Sequence, residues 1–340
     1  MPCLVRPVGS APSLGDPLVD EYLRFTAARV RANTLTAQAF DLKVFFTVVP
    51  KTPQQVTVTD VLLFIEAQRA PRRGGNVIRL ADGEAGLAAS TIKRRLATVS
   101  SLFDYLFLRG ICDRNPVPRS LGARHARPDG RGHGGRRGAP LVRAPRKLPR
   151  VLAPAEVSAL TGALRTERDR AMVALMVHGG LRRCEVLGLR FEHVQVGDRR
   201  VFVADGKGGH QRLVPVADVF FTTLAAYLSS ERPTEAIDDH VFVVLKGPNR
   251  GRPLTAAGLD EVMAGARGRA GLTHASCHEL RHTCFTRLRE AGMALEAIQA
   301  QAGHASIETT RVYLHLSNDW LAGEYQRAMA ILDGLHEEEP

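Results

Sequence analysis

The sequence predicts a mainly α-helical protein with a small antiparallel β-sheet, arranged as two domains. Apolar residues recur at helical spacing along most of the chain. One stretch of the second half, RRVFVADGKGGHQRLVPV, instead alternates apolar and polar residues around a glycine-rich turn, which predicts a β-hairpin. A length of 340 residues suggests two domains, and a segment rich in glycine and proline separates the two helical parts.

The first domain is expected to span residues 16–112, after a flexible N-terminus of residues 1–15. Its first three helices are predicted in DPLVDEYLRFTAAR, TLTAQAFDLKVFFTVV and TVTDVLLFIEAQ. Thr59 and Asp60 are expected to cap the third of these helices. In the first of these segments the apolar residues lie close to helical spacing: Leu18, Val19, Tyr22, Leu23 and Phe25.

The fourth helix of this domain is predicted in STIKRRLATVSSLFDYLFLRG. Ser90 is its expected N-cap and Gly110 its expected stop. Its first turn carries three cations, which are either a solvated face or an end that contacts phosphates: Lys93, Arg94 and Arg95.

The segment of residues 113–150 is predicted to be a flexible or extended basic linker. Residues 114–150 hold 11 basic residues and one acidic residue, so nearly all of the net charge of +11 lies here. Such a cluster favours contact with a polyanion, most commonly nucleic acid, and Arg136 and Arg137 are its candidate DNA contacts. A coding bias towards Arg, Gly and Pro is the alternative explanation.

The second domain is expected to span residues 151–334, followed by an acidic tail of residues 335–340. Besides the hairpin, helices are predicted in APAEVSALTGAL, ERDRAMVALMVHGG, RRCEVLGLR, VFFTTLAAYLSS, TAAGLDEVMAGARG, HELRHTCFTRLREAG, ALEAIQAQAG, SIETTRVYLH and WLAGEYQRAMAIL. The N-terminal residues lack the apolar core of a signal peptide, and no apolar run is long enough to span a membrane. The five scattered cysteines form no CxxC pair, so we expect neither a zinc site nor a disulfide framework, and a reducing cytosol fits them best.

Several polar residues of the second domain are not needed by a plain helical fold. Each has an ordinary explanation taken alone: a surface arginine, a solvated turn lysine, a polar helix face or a packed tyrosine. Together they form a set suited to phosphodiester chemistry, because arginines grip phosphate oxygens, histidines and lysine move protons, and a tyrosine can attack. No carboxylate or thiolate cluster accompanies the histidines, so no metal is expected. The set is Arg182, Lys207, His278, Arg281, His304 and Tyr313.

Four motifs of this domain resemble those of the tyrosine recombinases, the phage-integrase family, in order and in rough spacing. They are GGLRRCEVLGLR, GKGGHQRLVPV, HELRHTC and AGHASIETTRVYLH. The resemblance extends over about residues 151–332, and LAASTIKRRLATVSSLFDYL is similar to part of the family's helical core-binding domain. It implies an N-terminal SAM-like helical domain and a C-terminal tyrosine-recombinase catalytic domain.

The resemblance also implies a role for each reactive residue. Tyr313 is the expected nucleophile, which forms a 3′-phosphotyrosyl link to DNA, and Lys207 is expected to protonate the leaving 5′-oxygen. Arg182 and Arg281 would stabilise the transition state, and His278 and His304 would contact the scissile phosphate. Glu185 would orient Arg182 from behind. The local departures from the family pattern remove no reactive group: Arg183, Cys184, Cys277, Gln301 and Ala302.

The expected partner is double-stranded DNA, bound by a homo-tetramer or by a hetero-tetramer with a related recombinase. No cofactor, metal, ATP, membrane or small-molecule substrate is expected, and the expected location is the cytoplasm, at the nucleoid. Integration or excision of a mobile element is favoured, with a chromosome or plasmid dimer resolvase as the alternative. A catalytically inactive DNA-binding accessory protein and a type IB topoisomerase are further alternatives.

Overall fold

The computed structural model describes residues 3–5, 11–70, 86–118, 141–143, 149–206, 211–236 and 238–303. The chain divides into two compact units, Met1–Arg146 and Lys147–Pro340, and each has its own hydrophobic core. The described residues are mainly helical with one small antiparallel sheet, which confirms the predicted fold class. The domain boundaries at residues 112 and 150 stay a prediction, because most of the linker lies outside the described residues.

Four α-helices form the described part of the first unit, and their apolar faces meet in one core. The Phe45 and Phe64 rings pack edge to face with centroids 5.1 Å apart, and Phe103 is fully buried beside them in the same cluster. The helices are α1 (Pro17–Ala27), α2 (Ala32–Val48), α3 (Val58–Arg69) and α4 (Ala89–Leu108).

Two helix caps differ from those predicted. The cap of α3 is Thr57: its backbone N–H donates to the Asp60 carboxylate at 2.9 Å, and its hydroxyl accepts from the Asp60 N–H. Asp60 is thus the third residue of this helix and not its cap. Ser90 lies inside α4, because the N-cap residue of this helix is Ala88, two residues earlier than expected. Gly110 ends the helix as predicted, with φ of +69°.

The second unit surrounds its core with seven described α-helices. The helix α6 is central to that core and packs against α8 and α10. Its apolar stretch, residues 171–177, is buried on all sides, as expected of a helix without a polar face. The helices are α5 (Pro154–Gly162), α6 (Glu167–His178), α7 (Arg183–Leu187), α8 (Asp218–Ser230), α9 (Ala256–Arg269), α10 (Cys277–Glu290) and α11 (Leu295–Ala302).

The sheet of the second unit has the order β1–β2–β3, with antiparallel neighbours. Its strands are β1 (Val194–Gln195), β2 (Arg200–Val203) and β3 (Arg212–Pro215). The predicted hairpin is confirmed in its two strands, which pair Val201 with Val214 and Val203 with Arg212. The strand β1 was not predicted, because two residues are too few to show an alternation.

Some predicted elements lie outside the described residues. One is the tip of the hairpin, residues 207–210. The same holds for the two helices predicted after residue 303. Across the described ranges, no helix has both the length and the apolar character needed to cross a membrane.

Candidate active site

The turn that leads into α7 places Arg182 at the edge of a cleft. α6 ends at Gly179 and Gly180, and the Leu181 N–H closes this turn on the Leu175 carbonyl at 3.2 Å. Gly180 has φ of +67°, and a Cβ there would lie 2.4 Å from the Phe285 ring, so a side chain would disrupt the turn. Arg182 then precedes α7 as its N-cap residue, with one fifth of its side chain exposed.

Glu185 is the buried anion behind this arginine. Its side chain has no exposed surface, and its two oxygens accept bonds from the Arg182 backbone N–H at 2.8 Å and from Arg182 Nη1 at 2.7 Å. Arg212 donates to the same oxygens at 3.0 and 2.8 Å. Burial alone would raise the pKa of Glu185, but these bonds, above all those from Arg212, outweigh it and lower the pKa to about 2.

Arg281 and His278 lie one helical turn apart near the start of α10. Ser276 caps this helix by accepting the Glu279 N–H at 3.3 Å, while the Ser276 N–H donates to Glu279 Oε2 at 2.8 Å. Arg281 is 3% exposed, and its Nη atoms donate to the carbonyls of Gly180 and Ala302, the latter at 2.7 Å. These bonds hold Arg281 between the α6–α7 turn and the end of α11.

His278 contacts a second histidine of the same helix. The Nε2 atoms of His278 and His282 are 2.8 Å apart, so one of the two must carry the shared hydrogen. Burial, with Arg281 and Arg182 nearby, lowers the pKa of His278. Burial, His278 and Arg281 lower the pKa of His282 to about 4. Both imidazoles are therefore neutral near pH 7, where one can donate and the other accept a hydrogen bond.

Three of the predicted residues, Arg182, His278 and Arg281, line one cavity of about 460 Å³. Arg183 and Asp260 form an ion pair on its wall, with Nη1 and Oδ2 2.5 Å apart. Burial raises the pKa of the Cys277 thiol to about 11, so this residue is not a nucleophile at neutral pH. The lining residues are Arg182, Arg183, Cys184, Asp260, Ser276, Cys277, His278 and Arg281.

The electrostatics of this cavity favour an anion. Arg182, Arg212 and Arg281 surround the single carboxylate of Glu185, whose closest approach to Arg281 is 3.9 Å, so the cluster has a charge of +2. The N-terminus of α10 adds the positive end of a helix dipole. A tetrahedral phosphate diester has two non-bridging oxygens, which suit the guanidinium groups of two arginines that line the cavity, Arg182 and Arg281.

Part of the predicted site lies outside the described residues. Arg182, His278 and Arg281 line the same cavity, and Glu185 lies against Arg182. Five of the predicted residues have no described position: Lys207, His304, Tyr313, Arg136 and Arg137. The strands β2 and β3, on either side of Lys207, are described, and so is Gly303, which precedes His304 and lies beside Arg212.

The predicted DNA contacts of α4 do not all reach the surface. Lys93 and Arg94 are exposed, and Arg94 pairs with Asp41. Arg95 is 7% exposed, donates to Gln68, and lies 3.7 Å from the fully buried carboxylate of Asp41. Arg95 therefore neutralises a buried anion within the first unit, and phosphate contact at this turn stays a prediction for Lys93 and Arg94.

Sequence reasoning missed two residues of this site. Arg212 is at an inward-facing position of β3, since Val214, two residues on, is fully buried. An arginine at an inward-facing strand position needs a buried acceptor, so the position of Arg212 in the alternating pattern of the strand could have identified it as a residue of the site. His282 follows His278 by four residues, which places both on one face of a helix.

The fold and the cavity define a helical domain with a cationic site, and sequence comparison identifies its family. The sequence profile of the Phage integrase family matches residues 150–319. Tyrosine recombinase XerC of Yersinia pestis is 30% identical over 249 residues, which cover 72% of this chain and 74% of that protein. Tyrosine recombinase XerC of Serratia marcescens is 28% identical over 323 residues, which cover 94% and 96%.

Solved structures share the fold. The Tn1549 transposon integrase in complex with transposon right end DNA matches 92% of this chain and 98% of its own, with a TM-score of 0.66 and 18% identity. A lambda integrase dimer bound to a COC′ core site matches 85% and 94%, with a TM-score of 0.60 and 18% identity. The chain belongs to the phage integrase family. It is a tyrosine recombinase, a DNA strand-transfer enzyme of site-specific recombination.

Proposed function

We propose that this recombinase cuts and rejoins DNA through a covalent 3′-phosphotyrosyl intermediate on Tyr313. The observation that supports this most is the single cavity lined by Arg182, His278 and Arg281, with Glu185 behind it. Two arginine forks of fixed direction can bind the scissile phosphate and stabilise the charge that develops on it.

The chemistry follows from the groups around that phosphate. The Tyr313 hydroxyl gives its proton to His278 or His304, its oxygen attacks phosphorus, the new P–O bond forms, and the bond from phosphorus to the 5′-oxygen breaks. Lys207 gives a proton to the departing 5′-oxygen, and His278 and His304 hold the non-bridging oxygens. A 5′-hydroxyl from a second strand then reverses the step. One phosphodiester-like bond exists at each stage, so the reaction needs no ATP.

Trapping of the intermediate tests this proposal. On a nicked substrate whose short 5′-terminated fragment diffuses away after cleavage, we expect a covalent protein–DNA adduct to accumulate, also in EDTA, since arginines supply the positive charge. Peptide mapping should find the nucleotide on Tyr313. Binding to the genuine site without any adduct would instead support an inactive accessory protein.

The finer biological role is also a proposal. Integration or excision of a mobile element is favoured by the long basic linker and the unusual residues of the terminal motif. A dimer resolvase is the alternative. Sequencing of products in cells distinguishes them, because integration joins two unlike sites and resolution joins identical ones. A tetramer on paired sites, acting at the nucleoid, completes the proposal, and the mass of the synaptic complex tests its stoichiometry.

The basic linker is proposed to bind DNA through phosphates. Six arginines lie between residues 124 and 143, and each phosphate contact steepens the salt dependence of binding. Replacing all six by glutamine, which preserves the length, should weaken binding and reduce the slope of log K against log salt by up to about 5. An unchanged slope would support the coding-bias explanation.

A further inference from the structure

Arg212 holds a central position in the second unit that the proposed chemistry does not use. Its side chain is 9% exposed and points inward from β3. Two of its nitrogens bind both oxygens of Glu185, at 3.0 and 2.8 Å, and its Nε donates to the Gln301 carbonyl at 2.8 Å. One guanidinium therefore joins β3, α7 and the last turn of α11.

The bond to Glu185 links Arg212 to Arg182. Glu185 accepts the backbone N–H and Nη1 of Arg182 through the same two oxygens that bind Arg212. Arg212 adds a second bond to each of these oxygens and so restricts the plane of the carboxylate further. The direction of Arg182 Nη1, which donates to this carboxylate, is restricted with it.

The bond to Gln301 reaches the terminal motif. The neighbouring Ala302 carbonyl accepts Arg281 at 2.7 Å. Gly303, in a left-handed conformation with φ of +59°, lets the backbone pass so close that a Cβ there would lie 3.1 Å from the Arg212 side chain. Arg212 is thus next to both points at which the two arginines of the cavity are anchored.

We infer that Arg212 is a positioning residue for strand cleavage, which holds the Glu185 carboxylate so that Arg182 is aimed at the scissile phosphate. This inference depends on the proposed function and deepens it. Lysine cannot replace this arginine, because its single nitrogen can bind one oxygen of Glu185 well but cannot also bind the other oxygen and the Gln301 carbonyl in fixed directions.

Arg212 has an alternative way to affect cleavage, through the lysine hairpin, because β3 is the second strand of that hairpin. Arg212 would then act on protonation of the leaving group by Lys207. A DNA substrate with sulfur in place of the scissile 5′-oxygen separates the two routes. Its P–S bond breaks when the tyrosine attacks, and the sulfur leaves as a thiolate that needs no proton, since a thiol has a pKa of about 8.5.

The test is Arg212→Lys, measured by single-turnover cleavage of the all-oxygen and the 5′-sulfur substrates. We expect cleavage about 100-fold slower than by the unaltered protein on both, because a misplacement of Arg182 by about 1 Å has that cost. The dissociation constant for DNA should stay unchanged. Arg200→Lys, the same change at an exposed position of β2, should cleave both substrates at the normal rate.

Three results would overturn the inference. Normal cleavage of the all-oxygen substrate by Arg212→Lys would leave Arg212 without a role in the reaction. A normal cleavage rate for Arg212→Lys on the 5′-sulfur substrate alone would show that Arg212 acts on protonation of the leaving group. A loss of DNA binding equal to the loss of cleavage would make the role structural. If the lysine variant does not fold, Arg212→Gln, which keeps a donor to Glu185, takes its place in the same assays.

The proposed function can fail separately. If the unaltered protein forms no adduct on either substrate, the phosphotyrosyl mechanism fails. If the unaltered protein forms it and Arg212→Lys forms it equally fast, the role of Arg212 alone is wrong.

Discussion

Replacement of Tyr313 by phenylalanine is expected to abolish the covalent adduct and to leave DNA binding intact. The phenylalanine ring has nearly the same volume but has no oxygen to attack phosphorus. The described part of the site keeps its charge of +2 in this variant, so the phosphate should bind as before. The measurement is adduct formation on the nicked substrate, beside a binding titration at one stated salt concentration.

Tyr325 provides the matched control, since it is another tyrosine of the segment after residue 303. Tyr325→Phe should form the adduct at the normal rate. An adduct that persists in Tyr313→Phe but disappears in Tyr325→Phe would move the nucleophile to Tyr325. An adduct that persists in both single variants would mean that neither tyrosine is required.

The second large effect is expected from Glu185→Gln, which should destabilise the protein by about 3 kcal/mol. The glutamine has nearly the same shape, but its neutral amide leaves the charge of the 9% exposed Arg212 unpaired in the interior. For a unit of this size, the unfolding midpoint should fall by roughly 10 °C. Strand cleavage should fall as well, because glutamine keeps only one of the two oxygens that accept Arg182 Nη1 and the Arg182 backbone N–H.

The stability lost in Glu185→Gln should become smaller as the pH falls. Glu185 has its pKa lowered from an ordinary 4.5 to about 2, so its carboxylate stabilises the folded state fully above pH 4.5. That contribution, about 3 kcal/mol for a shift of this size, is lost as the pH falls from 4.5 towards 2. The unfolding midpoints of the unaltered protein and of Glu185→Gln should therefore converge over that interval.

Glu261→Gln is the control for the same chemical change at an exposed position of α9. It should unfold within about 0.5 kcal/mol of the unaltered protein at every pH, as surface substitutions usually do. A difference between Glu185→Gln and the unaltered protein that stays constant from pH 7 to pH 2 would show that the ionised carboxylate is not the source of the stability.

Much of the fold could be predicted because helices are encoded locally. The apolar stripe of α4 and the uniformly apolar stretch of α6 are visible in single segments, and both helices form where expected. Helix caps were harder to predict. Thr57 and Asp60 form a reciprocal pair of hydrogen bonds at the start of α3. Ser90 is a residue type that favours N-caps, but it lies where α4 has already begun. A short strand such as β1 exists only through its partner β2, so its own residues give no signal.

The sequence by itself determined the helical periodicity, the hairpin, and the order of four motifs with their reactive residue types. Only the tertiary structure decided which cations serve a buried carboxylate and which line the cavity. Arg94 and Arg95 are adjacent in the chain and both lie near Asp41, yet the Arg95 side chain is buried whereas that of Arg94 is exposed. Arg212 reaches Glu185 across 27 residues and Gln301 across 89. Local periodicity carries no information over such separations, because the partners of a buried charge are chosen by packing and by the cost of leaving that charge unpaired.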